Sequence, residues 1–144
     1  WSDKVVGLFG RVLKWANAAD ERGVRATDKA WVRAGLAQCY ARLEAMRLIN
    51  LRIAADLERD RMDVALASTT KVYGSESGIE ILRVLSNMVG AAGLIRSGSP
   101  AALLHGELEY EVRASVTLTF GGGTNEIQRE LIAQFGLGMP RTQR

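Results

Sequence analysis

Hydrophobic residues recur along most of this chain at alternating spacings of three and four, which is the pattern of amphipathic helices. The pattern is clearest after Thr27, which we predict as the N-cap of a long second helix with Asp28 in its first turn. One apolar stripe runs along this helix, and we expect its lone polar member to fix register or to find a buried partner. The stripe comprises Val32, Leu36, Cys39, Leu43, Met46, Asn50, Ile53 and Leu57.

The same periodicity predicts three more long helices and a short one. The later half of the fourth is richer in β-branched residues than most helices. Loops are expected at residues 90–100, at the glycines of 121–123 and around Pro140. No strand alternation stands out, so the predicted fold is all-α: residues 1–144 form one up-down four-helix bundle with a short extra C-terminal helix. The additional helices are predicted at about 3–17, 62–89, 101–119 and 124–136.

Composition narrows the functional classes. With 47% hydrophobic and 24% charged residues the chain is typical of a globular domain, and its net charge of +3 comes without the clustered basic face of a nucleic-acid-binding protein. The one cysteine, Cys39, excludes an internal disulfide or a multi-cysteine zinc site and suits a reducing cytoplasm. No membrane span or signal peptide is expected. Because the chain opens on Trp1 rather than Met, we expect a piece of a larger protein.

Several single residues are predicted to have structural roles. Cys39 lies on the apolar stripe and is expected to be a small buried hydrophobe. Trp15, Trp31 and Tyr40 are expected to pack. His105 is the only histidine and lies near Pro100, so we expect it to face solvent or cap a helix, and no metal site is predicted.

The most informative segment covers residues 120–129, Phe-Gly-Gly-Gly-Thr-Asn-Glu-Ile-Gln-Arg. Its glycines allow a ligand to approach the backbone closely, and the following helix presents unpaired N–H groups beside Thr124 and Glu126. A ligand site is one interpretation. On composition alone, however, a flexible hinge with an ordinary N-cap is favoured, since glycine runs before helices are common.

Residues 120–141 resemble the C-terminal signature of the acyl-CoA dehydrogenases, most closely the actinobacterial branch used on fatty acids and steroid side chains. Residues 36–47 are similar to the family's first long helix after its flavin-contacting loop. The resemblance implies the C-terminal bundle of a subunit that also has an N-terminal helical domain and a middle β-domain. It further implies FAD, oxidation of an acyl-CoA between Cα and Cβ with a glutamate as base, and an electron-transfer acceptor.

The resemblance also assigns residues to the flavin. Thr124, Asn125 and Glu126 would contact FAD near its ribityl and phosphate groups. Residues 87–91 fall where the family has a Gln-x-x-Gly-Gly turn that meets the adenosine end of a neighbouring subunit's FAD. Asn87 stands for the glutamine there, Gly90 for the first glycine and Ala91 for the second.

Two departures concern catalysis and the neighbour's flavin. Gly122 occupies the position where some members carry the catalytic glutamate, so no catalytic residue is assigned within this chain. Other branches place that glutamate earlier, at a position that falls before Trp1. Where the family has Arg-x-x-Phe-Gly, this chain has Ala19 at the arginine and Arg22 at the phenylalanine. Either Arg22 or Arg25 would pair with the pyrophosphate by a small shift, or this subunit would not serve its neighbour's flavin at all.

These departures leave more than one function open. The bundle is the oligomer interface in this family, and the subunit could form a homo-oligomer that oxidises acyl-CoA. Alternatively, the uneven motifs resemble two-gene heterotetramers, in which this chain would belong to a non-catalytic partner subunit. The third alternative is an unrelated helical bundle with a fortuitous motif.

Overall fold

Helices joined by short turns make up most of the chain. The computed structural model describes residues 2–141, and these contain five α-helices but no strand, only an isolated antiparallel bridge between Ala19 and Arg25. The predicted all-α bundle with an extra C-terminal helix is confirmed. The helices are α1 (Ser2–Asn17), α2 (Ala30–Glu58), α3 (Val64–Val89), α4 (Glu107–Ser115) and α5 (Asn125–Leu131).

Helix α3 is the centre of the molecule, because it packs against each of the other four α-helices. Its N-terminus is capped by Asp63, whose carboxylate accepts a hydrogen bond from Leu66 N at 2.9 Å, and its C-terminus by Gly90 with φ +70°. The core forms where α3 meets α1, α2 and α4. Its fully buried residues include Leu8, Val12, Ile81, Leu82, Leu85 and Leu108.

Helix α2 begins later than predicted. Thr27 lies in a 3₁₀ turn, Ala26–Asp28, and the N-cap is Lys29, so the assignment of Thr27 as N-cap is wrong. The reason is visible in the side chain of Arg33, which donates hydrogen bonds to the backbone oxygens of Thr27 (2.6 Å) and Asp28 (2.9 Å). The Asp28 carboxylate meanwhile accepts from Arg25 N at 2.8 Å, which stabilises the tight turn instead of a helical start.

The predicted apolar stripe of α2 is buried only as far as Met46. Beyond it, Asn50 is exposed, Ile53 is half-buried and Leu57 is 52% exposed. The expectation that Asn50 finds a buried partner is therefore wrong. Helix α1 has 16 residues against 29 in α2, or about 24 Å against about 44 Å of length, and therefore cannot cover the whole of α2. The far half of α2 presents apolar residues to solvent.

The aromatic residues divide between core and surface. Trp15 is partly buried and packs against the core, as predicted. Trp31 and Tyr40 are 54% and 60% exposed, so the expectation that they pack within the bundle is wrong. Both lie on α2 beside its buried stripe, on faces that no described helix covers.

The fourth helix is shorter than predicted. Instead of one helix over 101–119, α4 covers only Glu107–Ser115, between 3₁₀ turns at Leu103–Gly106 and Val116–Thr119. Leu104, His105 and Gly106 all have positive φ, a left-handed conformation that a right-handed helix cannot include. His105 is exposed, as predicted. Gly106 lies so close to the preceding loop that an added Cβ would stand 2.3 Å from Ser97 N.

Cys39 is 1% exposed on the inward face of α2, which confirms it as a buried residue. Burial raises the pKa of its thiol to about 11, while Arg42 opposes and Glu80 adds to the shift. Because the thiolate is the reactive form, we expect modification of the folded protein by a disulfide reagent in mildly alkaline buffer to be about a hundredfold slower than after denaturation. Equal rates before and after denaturation would contradict the burial of this side chain.

Candidate functional site

The glycine loop, residues 120–124 immediately before α5, is held open by its backbone conformation. Gly122 and Gly123 have φ of +71° and +90°, and no heavy atom lies within 4 Å of the position that a Gly122 Cβ would take. On the other side of the loop, Gln128 Nε2 donates to Gly122 O at 3.0 Å. Residues with side chains adopt such φ values at a cost, so the glycines suit this turn and leave its outer backbone accessible.

Thr124 is the N-cap of α5, at the predicted start of the last helix. Its hydroxyl accepts from Ile127 N at 3.4 Å, and its own carbonyl accepts from Gln128 N at 3.0 Å. Glu126 follows in the first turn with an exposed carboxylate. Hydrogen bonds from its own N–H and from the Thr124 hydroxyl, in that order, lower the pKa of Glu126. The loop thus ends in a hydroxyl and an ionised carboxylate.

Asn125 lies between these two residues but points into the protein, where it is only 2% exposed. Its Nδ2 donates to Ser75 Oγ at 3.1 Å and to Glu76 Oε1 at 2.9 Å. Its Oδ1 accepts from Lys71 Nζ at 2.5 Å and lies 3.2 Å from Ser75 Oγ. Every polar atom of the amide therefore has a partner on α3, which fixes the start of α5 against that helix.

An ion pair also joins α5 to α3, further along α5 than Asn125. Arg129 donates to both carboxylate oxygens of Glu76, at 2.7 and 2.9 Å. Burial alone would raise the pKa of Glu76, but the hydrogen bonds from Arg129 and Asn125, together with the Arg129 charge, outweigh it and the pKa lies below its ordinary value. Glu76 is therefore ionised at neutral pH, as its two donors require.

The other predicted flavin residues lie at the opposite end of α3. Asn87, Gly90 and Ala91 are all exposed where α3 gives way to a 3₁₀ turn. Ser75, which contacts Asn125, and Gly90 are 15 residues apart, which corresponds to about 22 Å along a helix. The structure thus brings the predicted residues together in two separate groups rather than one.

The loop after α1 joins the second group. A cavity of about 440 Å³ is lined by Ala19, Arg25, Lys29, Trp31 and Val89, among others, so residues 19–25 and the end of α3 share one concave surface. Arg22 is exposed and does not line this cavity. Its backbone N–H donates to the Asp20 carboxylate at 2.9 Å, which holds the turn. Of the two arginines proposed for the pyrophosphate, Arg25 is the one that lines the cavity.

Sequence reasoning missed Lys71, Ser75, Glu76 and Arg129 as parts of the site. The available signal was the polar character of α3 between Ser68 and Ser77, within a helix otherwise predicted to be core. Ser68, Ser75 and Ser77 are all buried there. Small polar residues on the buried face of a helix indicate a hydrogen-bonded junction, although the pattern does not name the partner.

Comparison with known proteins gives a consistent result. Residues 6–137 match the family described as "Acyl-CoA dehydrogenase, C-terminal domain". The chain is 40% identical to acyl-CoA dehydrogenase FadE26 of Mycobacterium tuberculosis (strain ATCC 25618 / H37Rv) over 144 residues, 97% of this chain and 36% of that protein. It is 32% identical to FadE29 of the same organism, over 98% of this chain and 36% of the relative.

The fold comparison agrees. A chain of the ChsE4-ChsE5 complex from Mycobacterium tuberculosis superposes with a TM-score of 0.90 and 40% identity, covering 99% of this chain and 36% of that one. The chain thus spans little more than a third of the length of its relatives. Within residues 2–141, no helix combines the length and apolar character needed to cross a membrane. By family match and identity, this chain belongs to the acyl-CoA dehydrogenase C-terminal domain family.

Proposed function

We propose that this chain is the C-terminal bundle of a larger acyl-CoA dehydrogenase subunit, which also carries an N-terminal helical domain and a middle β-domain, and that it binds FAD. The observation that carries the proposal is the glycine loop, whose open outer backbone ends in the Thr124 hydroxyl and the Glu126 carboxylate. FAD, when bound, accepts a hydride from Cβ of an acyl-CoA thioester.

The residues of the loop fit the flavin chemically. The Thr124 hydroxyl can donate to a phosphate oxygen or accept from a ribityl hydroxyl, and the Glu126 carboxylate can accept from ribityl hydroxyls. The absence of a side chain at Gly122 lets a ligand reach the backbone. Asn125 has its amide bound within the protein, so its part in this site is to orient Thr124 and Glu126.

The second group of residues fits a different FAD molecule, that of a neighbouring subunit. Asn87, Gly90 and Ala91 would meet its adenosine end, and Arg25 in the adjacent cavity would face its pyrophosphate more directly than Arg22. The distance of about 22 Å between the two groups supports two ligands. The bundle would then be the place where subunits meet.

Exposed apolar side chains support an oligomer assembled through the bundle. Large apolar patches on a soluble protein commonly mark interaction surfaces. A homo- or hetero-oligomer would bury them. We further propose that the whole enzyme passes its electrons to an electron-transfer acceptor and is located in the cytoplasm. The exposed residues include Trp31, Tyr40, Leu51, Leu57, Met62 and Leu94.

A second candidate function is favoured by Gly122 itself. This residue offers no carboxylate where some family members have the base, so that position cannot supply the group that removes the α-proton. Two structures similar to this chain are the ChsE4-ChsE5 complex and the Tcur3481-Tcur3483 steroid ACAD, and the name of each joins two proteins. We propose as the alternative that the chain belongs to a non-catalytic subunit of a heteromeric enzyme acting on a steroid side chain rather than a fatty acyl chain.

Visible absorption of the natural full-length protein tests the proposal. Flavin bands in the protein purified alone would support a homo-oligomer, and bands only after co-expression with its genomic neighbour would support the heteromeric alternative. Absence of flavin from both preparations would overturn the proposal.

A matched pair of variants tests the role of Thr124 in the same protein. We expect Thr124→Val to weaken FAD binding about tenfold, because the hydroxyl is lost, whereas Thr124→Ser keeps the hydroxyl and the flavin. FAD affinity is measured by fluorescence titration of the apoprotein. Equal affinities for the two variants would remove Thr124 from the binding site.

A further inference from the structure

Lys71 reaches from the N-terminal third of α3 into the connection between α4 and α5. Its Nζ donates to Thr119 O at 3.1 Å and to Asn125 Oδ1 at 2.5 Å. These acceptors lie immediately before and after the glycine loop, residues 120–124. One ammonium group therefore holds both ends of this loop.

The acceptors on Lys71 are all neutral oxygens. Among residues 2–141 the ion pairs do not include Lys71, although the side chain is partly buried. An ammonium has three donors around a single point of charge, so it can hold two oxygens from different segments close together. The direction of this side chain is thus set by the two ends of the loop.

The loop needs such a restraint. Three of its five residues are glycines, which lose more conformational freedom on ordering than any other residue. Between its two anchors, the loop is held by the hydrogen bond from Gln128 to Gly122 O and by bonds to Thr117 O from Phe120 N at 3.1 Å and from Gly121 N at 3.2 Å. Without Lys71, each end of the loop would keep its own hydrogen bonds, to Thr117 O on one side and to Ser75 and Glu76 of α3 on the other, but the one side chain that joins the two ends would be lost.

We propose that Lys71 is a positioning residue that clamps both ends of the glycine loop and so holds Thr124 and Glu126 in place for the flavin. The clamp itself follows from the contacts of this chain, whereas its purpose rests on the proposed function. A cavity of about 300 Å³ adjoins the clamp, lined by Lys71, Ser75, Leu118 and Gly121. The loop is therefore not packed tightly on this side, and the polar contacts of Lys71 gain in importance.

The test compares three variants of the natural full-length protein. Lys71→Met removes the charge at nearly constant size, Lys71→Arg retains a charged donor, and Lys14→Met applies the first change to an exposed lysine of α1. Hydrogen exchange is followed at the amides of Gly121 and Gln128, which donate to Thr117 O and Thr124 O at the two ends of the loop, and at Leu85 in the core. FAD affinity is measured in parallel by fluorescence titration.

In Lys71→Met we expect the Gly121 and Gln128 amides to exchange about tenfold faster and FAD to bind about tenfold more weakly, while Leu85 stays protected. Lys71→Arg should recover part of both properties, and Lys14→Met should change neither. Unchanged loop exchange in Lys71→Met would overturn the clamp, as would equal acceleration at Leu85, which would indicate general destabilisation.

The FAD affinity shows whether the restraint of the loop by Lys71 also serves flavin binding. Faster loop exchange with unchanged FAD affinity would overturn the positioning role. If the wild-type protein bound no FAD, the proposed function and the positioning role would both fail, while the exchange comparison would still decide whether Lys71 restrains the loop.

Discussion

Gly106→Ala is expected to destabilise the protein by about 3 kcal/mol or more, the largest effect that we anticipate for so small a change. Two costs combine at this position. The backbone has φ +78°, and an added Cβ would lie 2.3 Å from Ser97 N and 2.8 Å from the carbonyl carbon of Arg96. Since these are backbone atoms, no side-chain rotation can relieve the overlap, and the turn that precedes α4 must move.

Gly23→Ala is the matched control, because Gly23 has the same φ of +78° but no heavy atom within 4 Å of the added Cβ. It should cost about 1 kcal/mol, the contribution of the left-handed backbone alone. The free energy of unfolding is measured for both variants by denaturant titration monitored by circular dichroism. Equal losses would show that the contact between Gly106 and the Arg96–Ser97 backbone does not constrain the fold.

The same turn shows where sequence-based prediction of the fold reached its limit. The 3.6-residue period located the five helices, because periodic burial is written into the chain. It could not reveal the left-handed backbone of Leu104 and His105, since leucine rarely adopts that conformation, histidine adopts it only in a minority of cases, and Gly106 is positioned by contact with a loop about ten residues away. Tertiary contact overrides local preference here and shortens α4.

The start of α2 has a similar cause. Thr27 is a good N-cap residue, and local reasoning selects it. Arg33 then occupies the carbonyl oxygens of Thr27 and Asp28 with its side chain, which moves the helix start to Ala30. The competing interaction comes from five and six residues further on, beyond the range of a capping motif.

The candidate site was predictable in its local part only. The glycine loop and the Thr124 cap follow from adjacent residues, and the structure has both. The partners of Asn125 lie 49 to 54 positions away on α3, so no local pattern could pair them. Family resemblance identified the motif, whereas the hydrogen bonds that hold it required the fold.

Asn125→Leu is expected to give the second large effect, a loss of about 3 kcal/mol in the free energy of unfolding. The substitution keeps the branched shape and the number of heavy atoms but removes the acceptor for Lys71 and the donor for Glu76, and it leaves the buried Ser75 hydroxyl against an apolar side chain. A buried polar group that loses its partner carries a desolvation penalty that no new contact offsets. Asn50→Leu, the same change at an exposed asparagine of α2, should be nearly neutral, and a similar loss there would contradict this explanation.

Measured together, stability and FAD affinity of Asn125→Leu distinguish two roles for this residue. A direct flavin ligand would lose affinity with little change in unfolding free energy, since its amide would have been free to meet the cofactor. A positioning residue loses stability first, because its hydrogen bonds are internal, and loses affinity as Thr124 and Glu126 shift with the start of α5. The 2% exposure of Asn125 leads us to expect the second result. An unchanged free energy of unfolding with weakened FAD binding would indicate that Asn125 contacts the flavin directly.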